Sequence, residues 1–167
     1  MTQREEEARR GLLAHSIDLL ASAPGPDAAI RILARNARSI AGSEGITIVR
    51  MEGDQVHYVD ENAITPMWKG RSFLAKRCVT GIAILTGQIL QIPDIRADPR
   101  VPLDLYAALY VASLAVFPIG EVAAIGVYWG TTGPIDPLAV ELMTELAKAA
   151  ERAFMVPPEM LVMAEAG

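Results

Sequence analysis

Cysteine and histidine are scarce in this sequence, and their scarcity excludes several kinds of site. The only cysteine is Cys78, so no intramolecular disulfide can form and a cysteine-based metal cage is excluded. The two histidines, His15 and His57, lie far apart in the chain and form no His-x-x-x-His pair. The sequence therefore predicts no metal site.

Positive charge and long apolar runs are also lacking. Fifteen Lys and Arg against twenty Asp and Glu give a net charge of −5, which disfavours a nucleic-acid partner. The uncharged stretch from Leu105 to Gly120 contains Pro118 and is followed by Glu121, so it falls short of the roughly 20 apolar residues of a membrane span. The N-terminus, MTQREEEARR, lacks the apolar core of a signal peptide. We predict a cytoplasmic protein with no membrane partner.

Apolar residues make up 51% of the chain, which is enough for a substantial core, and their spacing predicts helices at both ends. The first helix ends at APGP, and the second runs from about residue 27 to residue 41. The last helix begins at Asp136–Pro137, with Asp136 as its N-cap, and ends near Pro157. A Met-rich tail without a clear pattern follows it.

Short β-rich runs separated by turn residues fill the middle of the chain. ITIVRM and QVHYV flank EGD and predict one hairpin, while ASLAVFPI and VAAIGVYW flank Gly120–Glu121 and predict a second with a type II′ turn. Gly126 predicts a bulge or a close backbone approach. QILQI predicts a further strand, and VTGIAILTG predicts a short helix. LDLYAALY, which follows Pro102, predicts a second short helix. Tight hairpins with helices outside them indicate an α+β fold with an antiparallel sheet.

The segment QIPDIRADPRVP, residues 91–102, is a candidate pocket wall. Pro93 and Pro99 exclude a regular helix. Asp94 and Asp98 can instead accept backbone N–H groups and fix turns, which leaves the neighbouring arginines available for ion pairs. We predict a rigid loop that acts as a lid or wall.

Two quoted runs, CVTGIAILTGQILQIPDIRADPRVP and SLAVFPIGEVAAIGVYW, resemble the GAF domain, and in particular the sensory GAF input domains of bacterial two-component histidine kinases. The likeness covers residues 27–154 loosely and residues 68–129 well. It implies a sheet of five or six strands, terminal helices packed on one face, and a small-molecule pocket on the other. The expected organisation is an N-terminal helix and connection (1–26), a GAF-like domain (27–156) and a C-terminal tail (157–167).

The resemblance implies a non-catalytic sensory domain that binds a small molecule and signals through a homodimer or a partner such as a histidine kinase. A degenerate module with a filled pocket, acting only in dimerisation or protein interaction, is the first alternative. An enzyme of the methionine-sulfoxide-reductase type is disfavoured, because Cys78 cannot be both nucleophile and resolving thiol. We expect a buried, inert thiol instead. The ligand, any cofactor, the effector and the completeness of the chain are left open.

The predicted pocket lies beneath residues 94–109 and is mainly apolar with a few hydroxyls and one carboxylate. The sheet face that carries it is not decided by the sequence, because the strands are apolar on both sides. Four cations just before the pocket segment either are solvated or favour an anionic ligand at its mouth (Lys69, Arg71, Lys76 and Arg77). The ligand-binding candidates are Trp68, Phe73, Ile82, Asp94, Tyr106, Leu109, Ser113, Val116 and Tyr128.

A homodimer is predicted from the terminal helices. Their apolar residues exceed what one sheet face should need, so the surplus is expected at an isologous interface. The residues concerned are Leu13, Ile17, Leu20, Leu142, Leu146 and Phe154.

Overall fold

A six-stranded antiparallel sheet lies between a layer of three helices and a layer of loops with one short helix. The computed structural model describes residues 1–161. The helices are α1 (Gln3–Ala21), α2 (Pro26–Ala41), α3 (Val79–Thr86) and α4 (Pro137–Phe154), and the strands are β1 (Gly45–Glu52), β2 (Gln55–Ala63), β3 (Ser72–Leu74), β4 (Leu90–Ile92), β5 (Ser113–Ile119) and β6 (Ala123–Trp129). The strand order is β3-β2-β1-β6-β5-β4. The α+β class and the strand number are confirmed.

Both predicted hairpins form, but one turn differs from expectation. Gly53, with φ 64°, lies in the two-residue turn between β1 and β2. The β5–β6 connection has three residues, 120–122, because Ile119 pairs directly with Ala123. The Val122 N–H donates to the Ile119 carbonyl at 3.4 Å, and Gly120 supplies the positive φ of 55°. The predicted two-residue type II′ turn is therefore wrong by one residue.

The helices α1, α2 and α4 share one core with one face of the sheet, so the terminal helices lie on one face as expected. The predicted surplus of apolar surface is wrong. Leu13, Leu20, Leu142, Leu146 and Phe154 are buried within the chain, and Ile17 is half-buried. The reason is that three helices pack on this face, so their apolar stripes face one another as well as the sheet.

Polar groups also attach α1 to the rest of this layer. The Asn36 amide of α2 donates to the buried Ser16 hydroxyl of α1 at 2.9 Å. Arg9 and Arg152 each donate to carbonyls at the end of another helix. The acceptors, at 2.7–3.0 Å, are the carbonyls of Ile40 and Ala41 for Arg9 and those of Leu20 and Ala23 for Arg152. These bonds supply side-chain donors to carbonyls at the C-terminal ends of α1 and α2.

Two other local predictions are corrected. The segment after Pro102 forms a 3-10 turn at Leu103–Leu105 and then further turns, not an α-helix. Its i to i+3 bonds let Tyr106 face the sheet while Leu103 stays 47% exposed. In the tail, residues 158–161 are helical, and residues 162–167 lie outside the described part. No helix within residues 1–161 is long and apolar enough to cross a membrane.

Candidate functional site

A cluster of buried aromatic rings covers the sheet face opposite the three-helix layer. Tyr58 of β2, Trp68, Tyr106 and Tyr128 of β6 come from four separate parts of the chain. The Trp68 ring makes T-shaped contacts with the other three, with centroids 5.4 Å from Tyr58, 4.9 Å from Tyr106 and 5.6 Å from Tyr128. Such contacts add to the stabilisation from apolar burial. Side chains thus occupy the interior where an enclosed cavity was predicted.

Alternation along β5 identifies the face that the sequence left undecided. Leu114 and Val116 belong to the aromatic side, whereas Ala115 and Phe117 belong to the core shared with the helices. This is the division expected for a strand, in which successive side chains point to opposite faces of the sheet. The aromatic side is the one that carries residues 94–109.

Gly126 leaves room for the ring of Tyr128. The Tyr128 Oη and Thr47 Oγ1 atoms are 2.9 Å apart, and a Cβ on Gly126 would collide with both. The pairing of β6 with both neighbours runs through Gly126 without a register shift, so the close approach is observed and the bulge is not.

Cys78 is buried, as predicted, beside a second pair of buried hydroxyls. Tyr58 Oη and Thr80 Oγ1 are 3.0 Å apart, and the Cys78 thiol donates to the Leu74 carbonyl at 3.4 Å. Burial raises the pKa of the Cys78 thiol above its ordinary value. Burial also raises the pKa of Tyr58 and Tyr106 well above the usual range. Protonated, uncharged groups are therefore favoured throughout this interior.

A single carboxylate holds the loop that carries Trp68. Glu61, at the end of β2, accepts the backbone N–H groups of Met67, Trp68 and Lys69 at 2.8–2.9 Å. The Trp68 Nε1–H donates to the Leu105 carbonyl at 3.3 Å, which ties this loop to the segment before Tyr106. Sequence reasoning missed Glu61, since nothing in its local pattern shows that three later amides converge on it.

The loop at residues 94–100 has the predicted turn chemistry. Asp94 accepts the backbone N–H of Arg96 at 3.0 Å, and Asp98 accepts that of Arg100 at 2.9 Å. The Arg100 guanidinium lies 2.7 Å from Asp98 and holds the pKa of that carboxyl below its usual value. Arg96 forms no ion pair with any residue in the range 1–161.

Two surface clefts flank Arg96. The first, of about 470 Å³, is lined by Ile95, Arg96, Leu103, Tyr106, Ala107, Leu109 and Val111. The second, of about 380 Å³, shares Ile95, Arg96, Leu109 and Val111 with the first and adds Asp94, Tyr110, Ala112 and Thr132. Sequence reasoning missed Ile95, Leu103 and Val111 as lining residues, and it left Arg96 available to pair with a carboxylate or with an adjacent loop.

The nine candidate site residues divide into three groups. Trp68, Phe73, Ile82, Tyr106, Val116 and Tyr128 lie in the apolar core on the aromatic side of the sheet or pack against that core. Leu109 packs against the same core and lines both clefts, whereas Asp94 lines the second cleft alone. Ser113 is not brought to this site, because its hydroxyl donates to the Thr131 carbonyl at 2.7 Å beside residues 129–136.

The four cations before the pocket segment do not converge on either cleft. Lys69 lies 3.2 Å from Asp60, and Arg71 stacks over the Phe73 ring at 4.9 Å. Lys76 and Arg77 are exposed. This geometry fits a solvated segment.

Comparison with known proteins gives a family and a set of similar folds. Residues 25–154 match the GAF domain family. Curated protein sequences give no match. Free methionine-R-sulfoxide reductase from Neisseria meningitidis, solved with its substrate, has 16% identity and a TM-score of 0.77, covering 98% of this chain and 96% of that one.

Two further solved structures are similar to the chain. The GAF domain of a phosphoenolpyruvate-protein phosphotransferase from Coxiella burnetii has 10% identity and a TM-score of 0.75, with 96% of each chain covered. The chromophore-binding domain of a bacteriophytochrome from R. palustris has 16% identity and a TM-score of 0.73, covering 99% of this chain and 64% of that one. At these identities the likeness shows the fold alone. The sequence match spans well over half of the chain, and with this sheet and helix arrangement it shows that the chain belongs to the GAF domain family.

Proposed function

We propose that the chain is a non-catalytic, cytoplasmic regulatory GAF domain that binds a small molecule in the first cleft, the one between Arg96 and Ala107. The cleft itself is the observation that carries this proposal. Its volume of about 470 Å³ is typical of small-molecule sites, and its walls are mostly apolar with one cation.

Tyr106 provides a physical route from this cleft to the sheet. The residue lines the cleft, is only 7% exposed, and makes a T-shaped contact with Trp68, with ring centroids 4.9 Å apart. Trp68 in turn contacts Tyr128 on β6. A ligand that repositions Tyr106 therefore shifts the packing of two further rings, because a closely packed interior transmits displacement.

The state of Cys78 supports a non-catalytic role. Cys78 is buried with a raised thiol pKa, and it is the only cysteine, so a reductase using a thiolate and a resolving thiol has no matching pair here. The Neisseria reductase shares the fold at 16% identity, which carries no residue roles across.

A matched pair of variants tests ligand binding. Ala107 lines the first cleft and is exposed, so Ala107→Trp should obstruct the cleft without disturbing the core. Ala108→Trp places the same bulk on the exposed neighbour, which does not line the cleft. Metabolites would be screened by thermal shift. A metabolite that binds the cleft should raise the Tm of the wild type and of Ala108→Trp but not that of Ala107→Trp. Equal shifts in all three proteins would overturn the proposal.

A second candidate function rests on the filled interior. Four packed rings occupy the face where an enclosed pocket was predicted, and this favours a module that acts through dimerisation or a signalling partner such as a histidine kinase. Leu19 of α1 is 40% exposed on the helical layer, whereas Leu85 of α3 is 58% exposed elsewhere. Sedimentation from micromolar to millimolar concentration should show a dimer that Leu19→Glu weakens and Leu85→Glu does not. A strictly monomeric mass would exclude this candidate.

A further inference from the structure

We infer that the ligand class of the first cleft is a small amphipathic anion, an organic carboxylate with an apolar body, and that Arg96 determines this preference. The inference rests on the proposed function, because it assigns the chemistry of the ligand to the same cleft.

The walls of the cleft match an apolar body. The lining residues Ile95, Tyr106 and Val111 are buried, whereas Leu103 and Leu109 keep part of their surface in water. A ligand that covers Leu103 and Leu109 removes that apolar surface from solvent, which is the main favourable contribution to binding in such sites.

Arg96 supplies the charge complementarity. Within residues 1–161 its guanidinium has no carboxylate within 4.0 Å, in contrast to Arg100 four residues later, which is paired with Asp98. The bond from its own N–H to Asp94 fixes the backbone from which the side chain emerges. A guanidinium next to apolar walls suits a carboxylate, which it can bind through two parallel N–H donors.

The charges lining the two clefts differ, and this selects the first. Asp94 lines the second cleft, where its carboxylate disfavours an anion. The described residues that line the first cleft include no Asp or Glu. Arg96 is exposed, so salt should weaken its attraction for the ligand.

Three probes of one length and different charge test the inference on the full chain. Sodium octanoate, octanamide and octylamine would be titrated at low salt while backbone amide chemical shifts are recorded. Octanoate should move the amides of residues 95–96 and 106–111 and bind about five- to tenfold more tightly than octanamide, with octylamine weakest. Raising the salt concentration should reduce the octanoate preference.

Arg96→Gln and Arg100→Gln are the matched variants. The first should abolish the preference for octanoate over octanamide while retaining octanamide binding, and the second should keep the preference because Arg100 already pairs with Asp98. Octanamide or octylamine binding this cleft as tightly as octanoate would overturn the anion assignment but leave the regulatory proposal standing. Octanoate acting only at other residues would also overturn it. If the probes left the cleft amides unmoved and the metabolite set shifted the Tm of wild type, Ala107→Trp and Ala108→Trp equally, both proposals would fall.

Discussion

Tyr128 and Thr47 join their hydroxyls across Gly126, with 2.9 Å between the two oxygens. All three residues belong to the centre of the sheet, where β1 pairs with β6 and Thr47 lies opposite Gly126. The tyrosine ring therefore reaches back over Gly126, and its centroid lies 5.6 Å from that of Trp68 in a T-shaped contact. One missing side chain thus determines how the aromatic cluster is built.

Gly126→Ala should destabilise the fold by about 1–3 kcal/mol, because the added methyl collides with Tyr128 and Thr47 in a packed interior. Urea unfolding followed by circular dichroism measures the loss. Gly11→Ala is the control: Gly11 lies in α1 with no atom near its missing Cβ, and the substitution should stabilise by about 0.5–1 kcal/mol. A Gly126→Ala protein as stable as wild type would contradict the assigned packing.

The four tyrosines should resist ionisation until the protein unfolds. Burial raises the pKa of Tyr58, Tyr106 and Tyr128, and the pKa of the half-buried Tyr110 rises to about 12. The unfolded chain releases these protons near pH 10.0, so it binds fewer protons than the native state above that pH. The stabilisation that comes from these buried tyrosines is therefore fully present below pH 10.0. It is lost as pH rises through the pKa values that the tyrosines have in the native state.

Tyrosinate absorbance recorded with circular dichroism against pH checks this expectation. Tyrosinate absorbance should increase at the same pH at which ellipticity is lost. It should not increase gradually near pH 10.0 while the protein is still folded. Tyr110→Phe should make the decline of the urea midpoint with pH less steep, since it removes one of the linked groups. A native protein with ordinary tyrosine titration would contradict the burial of the cluster.

Glu61→Gln should loosen the loop that carries Trp68. A carboxylate can accept all three N–H groups, whereas the amide keeps one acceptor oxygen and no charge, so a loss of about 2 kcal/mol is expected. Hydrogen exchange at residues 67–69 should accelerate more than exchange in β1. Glu52→Gln, at the exposed end of β1, provides a control that should leave those amides unchanged.

Cys78 should be inert in the native protein. Its burial and raised thiol pKa predict slow reaction with a disulfide reagent at pH 8 and fast reaction in urea. Cys78→Ser should keep the fold at a modest cost, and the purified wild type should be colourless. Rapid native labelling or an attached pigment would show that the thiol has a chemical role.

Residue patterns within single segments made most of the secondary structure predictable. The features that depend on contacts between distant segments were not predictable. The period of two in β5 correctly separated Leu114 and Val116 from Ala115 and Phe117, because alternation is a property of one strand. The assignment of those faces was not predictable, since it depends on which elements pack against each side. The same limit applies to Ser113, whose hydroxyl donates to the Thr131 carbonyl.

The filled interior was not predictable for a related reason. Tyr58 lies in β2, and its contact with Trp68 depends on β2 and the following loop returning to the same face. The cleft formed where the expected helix after Pro102 became a series of turns, which exposed Leu103 and placed Tyr106 between cleft and core. Helical propensity was outweighed there by burial of one ring.

The polar attachment of α1 has a practical consequence for where this protein can be cut. The family match begins at residue 25, and a chain trimmed to that boundary would retain every strand. It would nevertheless leave Asn36 without the Ser16 hydroxyl and Arg152 without its helix-end acceptors. The apolar faces of α2 and α4 that α1 covers would also meet water, and such surfaces promote aggregation. Expression boundaries should therefore include the first helix.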